Sequence, residues 1–211
     1  MSEYQIIRFC APTLAGLKTA SLFCCDAPDE AELLGQLRHW NTSLAPKGLR
    51  MLPLRIWNGR ALIYLYRPKA LARDLACEDA ACLLNGSGYD GTEPSGCLRC
   101  LMDRLQCQKD GFPHEIGLFL SYPPEDVRGF IENETRNYKF TGYWKVYGDE
   151  ERSRALFDKF ERCTRCYLAS WARGTGVERL VDHFGGLQKL LADYARERGF
   201  VRAGAGEEAS S

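Results

Sequence analysis

Cys10 stands two residues before Pro12, and proline suits the first position of a helix, where its missing N–H is not needed. A helix reading from Cys10 through Phe23 would set the thiol at a helix N-terminus, where backbone N–H groups and the helix dipole favour a thiolate. Cys10 is therefore a candidate nucleophile. Thr13 would add a hydroxyl, Gly16 would let a ligand come close to the backbone, and Lys18 would add a cation further along. A buried cysteine beside a helix cap is the plainer role for Cys10. The stretch Ala15-Gly16-Leu17-Lys18-Thr19 is not a phosphate loop, because the GxxxxGK spacing is missing.

His114-Glu115 is the second candidate group. An imidazole is the natural acid–base group near neutral pH, and a carboxylate can orient it. The run His114 to Leu120 reads as a strand, and strand neighbours point to opposite faces, so the pair need not touch. In the third group, Gly142 to Tyr147 read as a strand; Tyr143, Lys145 and Tyr147 share one face, with Trp144 and Val146 on the core face. Two phenols around an ammonium suit an anionic or aromatic ligand; a snorkelling lysine on a solvated face is the alternative.

Two CxxC pairs, Cys97/Cys100 and Cys163/Cys166, have ligand types that suit zinc or an iron–sulfur cluster. Both fall inside predicted helices far apart in the chain, which argues for core thiols instead. The other cysteines, Cys24, Cys25, Cys77, Cys82 and Cys107, follow no ligand spacing. His39 and His183 sit on amphipathic stretches and read as flanking residues.

These groups must be positioned by their surroundings. A helix from Asp29 or Glu30 carries Leu33, Leu37, Trp40 and Leu44 at helical spacing. Leu49–Ile56 and Ala61–Tyr66 flank Trp57-Asn58-Gly59-Arg60, a β-hairpin whose Asn-Gly tolerates the two positive φ angles of a type I′ turn. Pro53 makes the first strand an edge or a bulged strand, and the second, apolar on both faces, an inner one. Helices follow over 69–85 and 95–108, then 125–133, with a long one from Glu150 to Trp171 bearing Leu156, Phe160, Cys163, Tyr167 and Trp171 on one stripe. A last amphipathic helix uses Val177, Leu180, Phe184, Leu187, Leu191 and Tyr194. The order of elements predicts an α+β fold: one domain with a roughly four-stranded mixed sheet containing the hairpin, covered by helices. The division reads as a domain over 1–175, a packed helix over 176–202 and a polar tail over 203–211.

Composition narrows the class. The 211 residues are 45% apolar and 27% charged, which excludes a disordered or fibrous chain. Lys and Arg balance Asp and Glu at 28 each, so a dedicated nucleic-acid binder is not expected. No apolar run approaches the about 18 residues of a membrane span, and residues 1–9 lack a signal-peptide pattern, so the expected location is the cytoplasm. Without export the ten cysteines are expected to be reduced. Charge is segregated nonetheless. Lys47, Arg50, Arg55, Arg60, Arg67, Lys69 and Arg73 come with no acid among them, and Asp74, Glu78, Asp79, Asp90 and Glu93 follow with no base.

The segments Cys10 to Lys18 with Leu22-Phe23, Arg60 to Pro68, Phe112 to Val127 with Gly129-Phe130, and Gly142 to Tyr147 resemble the DUF3793 family of uncharacterised bacterial proteins. The resemblance covers roughly residues 5 to 170. It implies a cytosolic protein of largely anaerobic bacteria, sometimes encoded near flavodoxin-like or iron-related genes, with no established activity, cofactor or catalytic residue. In the family a histidine often precedes the first cysteine; Phe9 stands there in this chain.

The leading expectation is one pocket built from Cys10, His114, Glu115 and the Tyr143/Lys145/Tyr147 face, binding a small anionic ligand or redox cofactor in anaerobic redox or iron metabolism. Cys10 would be its reactive thiol and His114 the acid–base partner. The first alternative is a non-enzymatic partner or regulator that docks an acidic electron carrier of flavodoxin type through the basic hairpin. The second is metal or cluster binding through the CxxC pairs. Which cofactor, if any, and which oligomeric state apply do not follow from the residues.

Overall fold

The computed structural model describes residues 1–107 and 111–182. Helix α1 (Glu3–Leu14) begins at Ser2, whose side chain accepts from the Gln5 N–H while Gln5 reaches back, a capping box. Its inner stripe, Ile6, Ile7, Cys10, Ala11 and Leu14, is fully buried. The helix ends in a Schellman turn: Gly16 has φ 70°, and the Gly16 and Leu17 N–H groups donate to the Thr13 and Pro12 carbonyls at 3.1 and 2.8 Å. Pro12 thus lies in the last turn of a helix and not in its first. The expected helix through Phe23 gives way to strand β1 (Ala20–Asp26).

Helix α2 (Glu30–Leu44) is capped by Asp29 and buries Leu33, Leu37 and Leu44. Strands β2 (Arg50–Trp57) and β3 (Arg60–Tyr66) form the hairpin, with φ 44° at Asn58 and 71° at Gly59. All three strands pair antiparallel in the order β1-β3-β2, so β3 is central and β2 is an edge. A bulge sits between Pro53 and Arg55. The extra residue changes which side chains face which layer: Leu52 and Leu54 go to one core, and Ile56 to the opposite one.

Helices cover both faces of this sheet. On one side Phe23, Cys25, Met51, Ala61, Ile63 and Leu65 pack against α1, α2, α8 (Glu150–Ala172) and α9 (Val177–Asp182). On the other, Leu54 and Tyr64 pack against α3 (Pro68–Leu75), α4 (Glu78–Gly86), α5 (Pro94–Cys107), α6 (Ile116–Phe119) and α7 (Pro124–Asn133). The helix expected over 69–85 is therefore two. A third, smaller core joins Trp144 and Val146 to Phe157 and Phe160 of α8.

The α+β class stands, but two expected strands leave the sheet, which gains β1 and is antiparallel where a mixed one was expected. The run 142–147 contributes only β5 (Lys145–Val146), which pairs with β4 (Phe140–Thr141) as a separate two-stranded ribbon. The run His114–Leu120 is no strand: it coils into α6, with Ile116, Gly117, Leu118 and Phe119 all buried. A short apolar run fits a buried strand or a buried helical turn equally well by periodicity, and here packing chose the turn. The expected last helix is described only as far as Asp182; its remainder, His183 and the tail lie outside the described residues. No helix among the described residues is long and apolar enough to cross a membrane.

Candidate functional site

The turn into α6 separates His114 from Glu115. Backbone bonds from Ile116 to the Pro113 carbonyl and from Gly117 to the His114 carbonyl close at 3.2 and 3.3 Å. Glu115 points inward, where it accepts from the Tyr89 hydroxyl at 2.9 Å and pairs with Arg104 at 3.0 Å. That buried set pushes the Tyr89 phenol far above its ordinary range, first by burial and then by the Glu115 charge. His114 stays exposed and meets Phe130 edge-on, with ring centroids 4.8 Å apart. His114 and Glu115, whose contact the strand reading left open, do not pair; Glu115 serves Tyr89 and Arg104 instead.

After α6, Ser121 takes φ 58° and the chain delivers Tyr122 between the second and third cores. Tyr122 stacks on Trp144 with centroids 4.5 Å apart and planes at 27°, and Trp144 meets Phe157 edge-on at 4.4 Å. Burial pushes the Tyr122 phenol up to about 12, so it remains protonated. The ribbon is held by Asp126 in the first turn of α7. One carboxylate oxygen accepts from the Trp144 indole N–H at 2.7 Å, and the other from the Tyr147 and Gly148 backbone N–H groups, each at 2.7 Å.

These elements enclose a pocket of about 300 Å³. Its walls are mostly apolar: Leu22, Ile116, Leu120, Val127, Phe130 and Trp144. His114, Tyr143 and Lys145 bring polar groups to it. The Lys145 ammonium lies 4.9 Å from the Tyr138 ring centroid and 5.7 Å from that of Phe130, and no carboxylate pairs with it among the described residues. Phe112, Tyr138 and Tyr143 leave large aromatic surface exposed nearby. Gly117 keeps the wall thin: a Cβ there would meet Val127 Cγ2 at 2.8 Å and Tyr122 Cδ2 at 3.0 Å.

A second hollow of about 380 Å³ lies on the other side of Tyr122. Gly16, Lys18, Asp74, Ser121 and Arg152 line it, and the Lys18 ammonium sits 5.2 Å from the Tyr122 ring centroid. Burial pulls the Lys18 amine down to about 8.

The residues expected to form one pocket therefore divide. His114, Tyr143 and Lys145 share the aromatic pocket, while Gly16 and Lys18 line the neighbouring cleft. Tyr147 lines neither: it packs on Gly129 and donates its hydroxyl to the Glu134 carbonyl at 2.6 Å. Cys10 is fully buried near the C-terminal end of α1, where the dipole disfavours an anion. Burial pushes its thiol up to about 12, so the nucleophile role is withdrawn. Thr13 is buried too, in a 2.8 Å hydrogen bond with Ser21.

The CxxC pairs do not converge. Cys97 is buried in the second core, and its neighbour Cys100, half-buried on α5, packs against that same core. Cys163 is buried in the first core, and Cys166 is buried one helical turn further along α8. The sheet separates the two cores, so the four thiols cannot surround one ion. No group of three or more His, Cys, Asp or Glu side chains among the described residues is arranged to hold a metal. The metal site expected from Cys97, Cys100, Cys163 and Cys166 is thus not formed there; burial raises the Cys163 thiol to about 12, and Cys97 and Cys100 above their ordinary value. Arg67 turns inward and donates to the Thr13 and Leu14 carbonyls at 2.9 and 2.7 Å, capping α1, and Arg55 lies over Trp57. The basic and acidic stretches meet at Arg73 and Asp74, 3.1 Å apart.

Tyr122, Asp126 and Phe130 lie in the segments that carry the family resemblance, but nothing in the sequence marked a role at the site for any of them. Trp144, expected in the core, is buried, yet it also lines the pocket. Compared with curated proteins and with solved structures, the chain matches none. The family model described as protein of unknown function (DUF3793) matches residues 6–181. The chain, with its aromatic pocket between α6, α7 and the ribbon, belongs to the DUF3793 family.

Proposed function

We propose that this protein binds a small ligand with a planar aromatic body and one anionic group in the pocket between α6, α7 and the ribbon. A redox cofactor with a flat ring and an acidic tail falls in that class. The observation that carries the reading is the union of an apolar, ring-lined cavity with a lysine that no carboxylate neutralises among the described residues. Phe130 and Trp144 put aromatic rings in the wall, and an aromatic contact contributes about 1 kcal/mol beyond the area it buries. Lys145 gives the anion a counter-charge, and His114 adds a second donor when protonated. Asp126 is the opposing charge in the wall, and its two oxygens are already engaged by three N–H groups.

The probe that tests this is 8-anilinonaphthalene-1-sulfonate, a flat aromatic anion, alongside its neutral relative N-phenyl-1-naphthylamine. The sulfonate is expected to bind and to quench the emission of Trp144, a loss absent in Trp144→Phe. Lys145→Gln should weaken the sulfonate about tenfold, the scale of one lost charge-assisted contact, and leave the neutral probe unchanged. Equal affinity of the sulfonate for wild type, Lys145→Gln and Phe130→Ala would remove the reading.

A further inference from the structure

The aromatic pocket makes no use of Lys18, whose surroundings suit different chemistry. Its amine reaches a cleft of about 380 Å³ through a half-buried stem, lies over the Tyr122 ring and has no ion pair among the described residues. Cys10, whose charge would pull on it, stays a thiol and supplies no counter-charge. Acid–base and hydroxyl groups line the same cleft. The Thr19 hydroxyl bonds the Asp74 carboxylate, and the Ser121 hydroxyl accepts from the Thr19 N–H at 3.3 Å. Arg152 stands at the same cleft, exposed, with no carboxylate on its guanidinium among the described residues.

We propose that this cleft is a carbonyl site, in which the Lys18 amine forms a reversible imine with a small aldehyde or ketone that carries a carboxylate. The carboxylate is held by Arg152. Nζ attacks the carbonyl carbon, the carbonyl oxygen takes a proton, and the resulting carbinolamine loses water to leave the C=N bond. The nitrogen sheds its protons on the way, with Asp74 placed in the cleft to carry them. Hydrolysis reverses the step, and no oxidant or reductant is involved.

Burial favours this role over simple anion binding. A lysine that retains its proton only up to about pH 8 is a weaker anchor for an anion and a better nucleophile. Near neutrality a larger share of it is unprotonated than of an ordinary lysine.

Glyoxylate tests the site on the whole chain, with cyanoborohydride added to reduce any imine to a stable carboxymethyl amine and peptide mapping to locate it. Lys18 is expected to be carboxymethylated at least about tenfold faster than the exposed Lys69 and Lys159 at pH 7.5. Arg152→Ala should remove most of that advantage, and acetate should compete for it. Modification of Lys18 no faster than of Lys69 and Lys159, or a rate indifferent to both Arg152→Ala and acetate, would overturn the proposal. Loss of naphthalene sulfonate binding is a separate result, because that probe reports the pocket across Tyr122.

Discussion

Asp126 holds three N–H donors on two oxygens, inside a mostly apolar wall. With the carboxylate removed, the Trp144 indole N–H and two backbone N–H groups lose their partner in a buried place, and such groups are costly to leave unmade. Asp126→Ala is expected to destabilise the fold by about 3 kcal/mol and to abolish probe binding in the aromatic pocket; urea unfolding and a probe titration measure both. An unchanged unfolding midpoint would show that the ribbon is held otherwise. At this scale the sequence exposed residue types more readily than residue roles. Lys145 and Tyr143 stood out through their alternation around Trp144, and the structure sets both at one pocket. Cys10 stood out for a helix end that proved to be the opposite end, and its burial there turns a favoured thiolate into an inert thiol.

The elements explain why those roles were hard to read. Pro12 is usually a start signal, but Ser2 and Gln5 had already capped the helix upstream, and Gly16 marks its end with a left-handed turn. The signal that locates α1 is thus the pair Ser2 and Gly16, with the proline inside. The hairpin was plain, because Asn58-Gly59 has one common use between two apolar runs. The run from His114 to Leu120 had no such marker. Its fate depends on Gly117, which lets α6 close onto Val127 and Tyr122, a contact between segments that no local pattern encodes. Gly117→Ala should therefore cost about 1–3 kcal/mol by overpacking and weaken the probe, since Tyr122 and α7 form two sides of the pocket. Thermal unfolding of the variant checks the first part, and a melting temperature equal to that of wild type would contradict it.

Across the whole molecule, the apolar residues on both sides of β3 read as an inner strand, and the structure sets it at the centre of the sheet with helices on each face. The fourth strand fell away because β4 and β5 pair only with each other and pack on α8, forming a third core beside the sheet. The buried thiols bind this architecture to pH. Burial raises Cys10 and Cys163 from about 9 to about 12, so in the fold they keep protons that the unfolded chain releases above pH 9. Their contribution is complete below pH 9 and is lost as the pH climbs toward 12, with the raised phenols of Tyr64 and Tyr167 adding to the loss above pH 10. Denaturant midpoints should fall steadily from pH 9 to 11, and the slope should flatten in Cys10→Ala/Cys163→Ala. A midpoint that holds constant over that range would mean the two thiols are not buried as described.

The aromatic pocket is tested most directly at His114, one of three histidines in the chain. A proton NMR titration with 8-anilinonaphthalene-1-sulfonate follows the imidazole C2 proton of each. A ligand seated against Phe130 and Trp144 must shift the His114 resonance through its ring current and leave His39, on the exposed side of α2, where it was. Saturable binding that leaves His114 unmoved would place the ligand elsewhere and contradict the assignment of this pocket.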